Sequence, residues 1–141
     1  YAASTLMNLG DMDGANDALG KAFNLQEQNP YLYLRLASLY RLKNEIASAN
    51  NLLPRAAELG LSERHLIWER ILLAIAVDDL NQTTTKMKEA IEGQPTIFEL
   101  DSFIQDIQRQ ITVSGPNSAT AFAESMITDL HNQLVQGTSI D

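Results

Sequence analysis

Few residues in this 141-residue chain have the types and spacing that chemistry would need. His65 and Glu69 lie four apart, one helical turn, and could both reach one metal ion. Two ligands do not make a site, because structural zinc takes four and catalytic zinc about three. The ordinary reading of such a spacing is a solvated i, i+4 pair. The other histidine, His131, stands far along the chain. Asp78-Asp79 follows an apolar run and reads as a turn closing a helix. Thr83-Thr84-Thr85 could accept phosphate, but threonines at a helix start commonly serve as caps. There is no cysteine, which removes disulfides, thiolate ligands and Cys nucleophiles together. No nucleophile elbow, phosphate loop or zinc-protease motif occurs. The residues point away from an enzyme, a metal and a cofactor.

Charge narrows the partners further. The net charge is -8, and no Lys/Arg-rich run offsets it, so the chain is repelled by nucleic acid and by anionic membrane surfaces. The longest apolar stretch, residues 66–77, is interrupted by Glu69 and Arg70 and is too short to span a bilayer. Apolar residues at 45% and charged residues at 20% are a globular composition, in a length suited to one domain. A chain without cysteine fits either redox environment, so no compartment follows. The first residue is Tyr1 rather than Met, which reads as a piece excised or processed from a longer chain.

The elements that must position these residues are helices. Asn29-Pro30 opens the clearest one: Asn accepts from the orphan amides of the first turn, and Pro is preset for the first helical position. Tyr33, Leu36, Ala37 and Tyr40 share its face, and it should end near Lys43-Asn44. Its partner carries Ala49, Leu52, Leu53, Ala56, Ala57 and Leu59 up to Gly60, a natural C-terminal stop. Residues 11–25 predict an earlier helix with Ala15, Ala18, Leu19, Ala22 and Phe23 on its face. Ser62 caps a helix reaching about Val77, and another starts near Asn81, reaches Glu92 and is closed by Gly93 and Pro95. The short linkers force antiparallel neighbours. Pro54 stands deep in one helix, where it removes a hydrogen bond at a cost of about 3 kcal/mol. Either that helix bends on its outer side, or it is two shorter pieces.

These helices repeat. Ala22, Ala56 and Ala90 are 34 apart, as are Leu19, Leu53 and Met87, then Ala15, Ala49 and Thr83, then Gly10, Asn44 and Asp78. An ungapped period in this range marks an architecture whose units bury their faces by stacking on one another. The first unit lacks the start of its first helix. After Pro95 the repeat degrades into a helix over 98–113, with Phe103, Ile104, Ile107 and Ile111 on a stripe, and another over 118–136. The latter has Phe122, Met126, Ile127, Leu130 and Leu134 on one side and Glu124, Thr128, Asp129 and Gln133 on the other, which suits a terminal cap. Residues 137–141 are polar and expected to fray.

On these residues the chain resembles the tetratricopeptide repeat (TPR) family. Tyr33, Leu36, Ala37 and Tyr40 match the aromatic, Leu-Gly, Tyr pattern of the family's first helix, with Ala in place of Gly. Ala49, Leu53 and Ala56 match its second helix, as do Ala15, Leu19 and Ala22. The Pro that ends a unit is present as Pro95, with Glu27 and Leu61 at the equivalent places. The third unit departs: Arg70-Ile71 replace Leu-Gly, Ala74 replaces Tyr, and Thr83 replaces Ala. The resemblance covers residues 1–95, with 96–136 a degenerate pair. It implies an all-α fold, a right-handed α-solenoid of antiparallel helix pairs, and a module that binds proteins.

In that family the first helices line a concave groove. The resemblance places Tyr31, Leu34, Arg35, Ser38 and Arg41 there, followed by His65, Trp68, Glu69, Leu72 and Ile75, then Glu99, Ser102, Phe103, Asp106 and Arg109. The groove would be apolar in its middle and charged at its edges. Trp68, the single tryptophan, is either a partner anchor or part of a helix buried on every side. A partner's C-terminal carboxylate, which many such modules grip, would meet Ser4, Arg35, His65 and Glu69, of which only Arg35 suits it. The expectation is a non-catalytic interaction module that holds a partner's peptide or helix. The alternative is a structural or self-associating segment of a longer helical array, with the apolar third helix against another copy.

Overall fold

The computed structural model describes residues 29–140, with side chains through residue 137. The helix expected over 11–25, its faces and the expected truncation of the first unit lie outside the described residues. The described residues form six helices and no strand: α1 (Pro30–Leu42), α2 (Ile46–Glu58), α3 (Glu63–Ala76), α4 (Leu80–Glu92), α5 (Ile97–Ser114) and α6 (Ser118–Ile140). The fold is all-α, as the composition and the period require. Two compact units divide the chain, Tyr1–Glu69 and Arg70–Asp141, with the boundary inside α3.

The period is visible in how the helices stop. Asn44 (φ 63°) and Asp78 (φ 54°) are left-handed and 34 apart, and so are Gly60 (φ 104°) and Gln94 (φ 54°). Each follows a helix end and turns the chain back on the last carbonyls. Glu45 N donates to Tyr40 O at 2.8 Å and Asn44 N to Arg41 O at 2.9 Å. Asp79 N and Asp78 N repeat this on Ala74 O and Ile75 O, and Leu61 N and Gly60 N on Ala56 O and Ala57 O. These paired bonds are Schellman stops, which satisfy carbonyls that a helix end leaves open. At Gln94 only the shorter bond forms, to Ile91 O at 3.0 Å, because Pro95 has no N–H.

Helix starts are set by side chains. Asn29 Oδ1 accepts from Tyr31 N at 3.0 Å, with Pro30 in the first turn. Asp79 Oδ1 accepts from Gln82 N at 3.0 Å, so Asp79 is the cap of α4. The threonines expected to cap sit within the helix instead: Thr83 and Thr84 hydroxyls donate to Asp79 O and Leu80 O, both at 2.8 Å. Thr96 and Glu99 form a reciprocal capping box at the start of α5.

In the first unit, α1 and α2 pack together, and Ala37, Ala49, Leu53 and Ala56 are fully buried. Three of these four are alanine, which lets the two backbones approach closely. Arg55 lies over the buried Tyr33 ring, 5.8 Å from its centroid. The Tyr33 hydroxyl, and then Glu58, hold that guanidinium above its ordinary pKa. Pro54 does not divide α2, which runs unbroken from Ile46 to Glu58. Pro54 and Asn50, whose carbonyl the missing N–H would have met, are both exposed, so water can take that place.

In the second unit, Thr83, Met87 and Ala90 are buried one period after Ala49, Leu53 and Ala56. α6 packs against both α5 and α4. Its buried line is Ala119, Thr120, Ala123 and Ile127, whereas Phe122, Met126, Leu130 and Leu134, expected on the packing face, are only half-buried. A helix that touches two neighbours needs small side chains where it comes closest. On α5 the buried line is Leu100, Phe103, Ile107 and Gln110. Phe103 therefore belongs to the packing side rather than to a groove. α5 starts in period with α3 but runs on to Ser114, and α6 continues to Ile140, through the segment expected to fray.

A polar tie joins α3 to α6 within this unit. Asn117 Nδ2 donates to Ile75 O at 2.9 Å, and Ala119 N donates to Asp78 Oδ1 at 3.0 Å. A carboxylate on the first-turn amides of α6 is favoured by the helix dipole. Asp78 thus stops one helix and starts another.

Two substitutions check this account. Gln94→Gly relieves a left-handed side chain and should raise stability by about 1 kcal/mol in urea unfolding. Ala56→Leu overpacks the α1–α2 contact and should lower it by about 1–3 kcal/mol; a neutral result would contradict the packing described.

Candidate functional site

The residues expected along the groove fall into three environments. Tyr31, Arg35 and His65 are exposed, Leu34, Ser38 and Trp68 are half-buried, and Arg41 and Glu69 are buried. Leu72 and Ile75, in the second unit, are buried as well and leave almost no surface for a ligand. The exposed residues are brought together by the starts of α1 and α3. The Tyr31 and His65 rings meet edge to face, 5.9 Å apart at 84°. Ser62, just before α3, pairs its hydroxyl with His65 Nδ1 at 2.9 Å and so fixes the imidazole from the other side. Ser62 therefore holds the histidine, while its carbonyl takes the first α3 amides from His65 and Leu66.

Farther along the same two helices lies an ion pair. Arg41 Nε donates to Glu69 Oε2 at 2.5 Å and Nη2 to Oε1 at 3.4 Å. Ser38 Oγ donates to the same Oε1 at 2.5 Å. Arg41 is 3% exposed and Glu69 4%. This differs from the expected groove, whose charges were to lie at the edges around an apolar middle. It also differs from the expected solvated pair of His65 and Glu69, whose side chains go to separate partners. The reason is the direction of α3: position 69 faces α1, where only paired charge is tolerated.

A signal for this was present in the chain. Glu69 interrupts an apolar run, and a carboxylate in a helix that is apolar on every side must be both buried and paired. Identifying its partner as Arg41, 28 residues away, required the register of α1 on α3.

Trp68 is half-buried, and its indole nitrogen is wholly so. One side of the ring is committed to the fold, and the remainder is left at the surface beside His65. The rest of α3 is covered: Leu66, Ile67 and the run Ile71, Leu72, Leu73, Ala74 and Ile75 are all buried. Among the described residues no cluster of three His, Cys, Asp or Glu side chains suited to a metal is found, and no helix is long and apolar enough to cross a membrane. His131 pairs with Asp101 at 2.8 Å, tying α6 to α5.

Glu69→Ala removes the carboxylate that faces a buried guanidinium. It should cost about 3–5 kcal/mol in chemical unfolding, several times the loss from Glu58→Ala at the exposed Arg55–Glu58 pair. Equal losses would contradict the buried placement.

No family model and no solved structure matches the chain. A curated relative does: a TPR repeat-containing protein of Methanocaldococcus jannaschii is 43% identical over 58 residues, covering 41% of this chain and 10% of the relative. The match thus spans about a tenth of that protein's length. In both its helices and this stretch of sequence, the chain is similar to tetratricopeptide repeat proteins.

Proposed function

We propose that the chain is a non-catalytic protein-interaction module that holds a peptide or helix of a partner protein across the exposed starts of α1 and α3. The observation that carries this reading is the Tyr31–His65 contact, which places two aromatic rings side by side at the surface, with Tyr31 48% exposed. Aromatic and Arg side chains are the residue types that most often anchor partners. Arg35 follows Tyr31 by one turn on α1, and Trp68 follows His65 by three residues on α3, so Tyr31, Arg35 and Trp68 are three residues of anchoring type on these two helices. Leu34 contributes half-buried apolar surface beside them. Ser38, Arg41 and Glu69 join the same two helices and bear on binding only by holding them in register. The similarity to a TPR repeat-containing protein supports an interaction role of this general kind.

The pairing of Glu69 changes how charge acts on this face. Its carboxylate is already opposed by Arg41 and bonded by Ser38, so it does not project as a repulsive charge toward a ligand.

The test is selection of peptides from a displayed library on the whole chain, followed by titration of the best binders against variants. Tyr31→Ala and Arg35→Ala should each weaken binding roughly tenfold, about 1.4 kcal/mol, with helicity by circular dichroism unchanged. Peptides bound equally well by the double variant would place the site elsewhere. A Trp68→Ala variant that loses stability rather than affinity would assign that residue to the core.

A further inference from the structure

The three residues of the buried polar cluster have counterparts one period along. Ser38, Arg41 and Glu69 correspond to Leu72, Ile75 and Phe103. Those three are buried too, at 1%, 0% and 1% exposure. The same register positions therefore carry a hydrogen-bonded ion pair in the first unit and hydrocarbon in the second.

These two solutions exclude each other. A helix bearing Arg41 laid on one bearing Phe103 would bury a guanidinium without its carboxylate. Glu69 laid against Leu72 and Ile75 would bury a carboxylate without any of its three donors. Either mismatch leaves an uncompensated charge in the interior.

Repeated units invite such mismatches. α1 and α3 both end in the same left-handed stop, at Asn44 and Asp78, and each is followed by a thirteen-residue helix in the same phase. Helices alike in length and phase can stack on the wrong unit, within one chain or between two copies. The ends do not discriminate between them, whereas the buried positions do.

We propose that Ser38, Arg41 and Glu69 form a pairing code, which makes the α1 face accept α3 of its own chain and reject both α5 and the apolar helices of a second copy. A buried ion pair is weak support for stability, since apolar residues of similar size often replace one without loss. Its distinctive effect is to penalise the wrong neighbour.

The test transplants the apolar solution into the first unit of the full chain, as Ser38→Leu, Arg41→Ile and Glu69→Phe together. After refolding from urea, the variant should keep its helicity and a urea midpoint at or above that of the original. It should also populate dimers or second sets of amide resonances at several times the original level, read by light scattering and NMR. A variant as homogeneous as the original overturns the proposal. So does one that stays helical and homogeneous with a lower midpoint, because the cluster would then serve stability alone. Should the triple variant not fold, the charge exchange Arg41→Glu with Glu69→Arg decides. The exchange should recover homogeneity that Arg41→Glu alone loses, and equal heterogeneity in the two would overturn the code.

Discussion

A helix pair repeats along a chain most simply when its helices stop in register, and three of the stops here are a left-handed residue with two backbone bonds behind it. Asn44 and Asp78 end α1 and α3, and Gly60 ends α2 in the same manner. Once the stops are set, helix lengths are set, and the buried alanines of α2 and the corresponding residues of α4 fall in the same phase. The residue types at these points have a common physical basis: Asn, Asp and Gly tolerate positive φ more readily than other residues.

On that frame two kinds of interior are laid down. Where α1 meets α2 the contact is close and small-sided, built on Ala37, Ala49 and Ala56. Where α1 meets α3 it is polar, with Arg41 and Ser38 converging on Glu69. The polar contact joins the same two helices whose starts carry the exposed Tyr31 and His65 rings.

The second unit reaches a different balance. Its helices are tied through Asp78 and Asn117, whose side chains bridge the end of α3 and the start of α6. α5 is a turn longer than the period asks, and the buried line of α6 is correspondingly made of Ala119, Ala123 and Ile127 rather than its larger residues. Local periodicity marked Phe122, Met126, Leu130 and Leu134 as the packing face because it registers hydrophobicity and is blind to how near the neighbours come.

Local rules accounted for the helices and most of their ends, because caps, stops and small-residue phasing are short-range effects written in neighbouring residues. Asn29-Pro30, Gly60 and the alanines at 34 were sufficient for an all-α chain of repeated pairs. The exposure of Tyr31, Arg35 and His65, the residues proposed to meet a partner, follows from the phase of their helices. Which charges are buried could not be read in that way. Glu69 stands one turn from His65 in sequence, yet its partner is Arg41, and Asp78 serves a helix that begins some forty residues later. Burial is a property of what packs against a residue, and only the assembled helices bring that neighbour, and the low dielectric that makes the pairing obligatory, to the side chain.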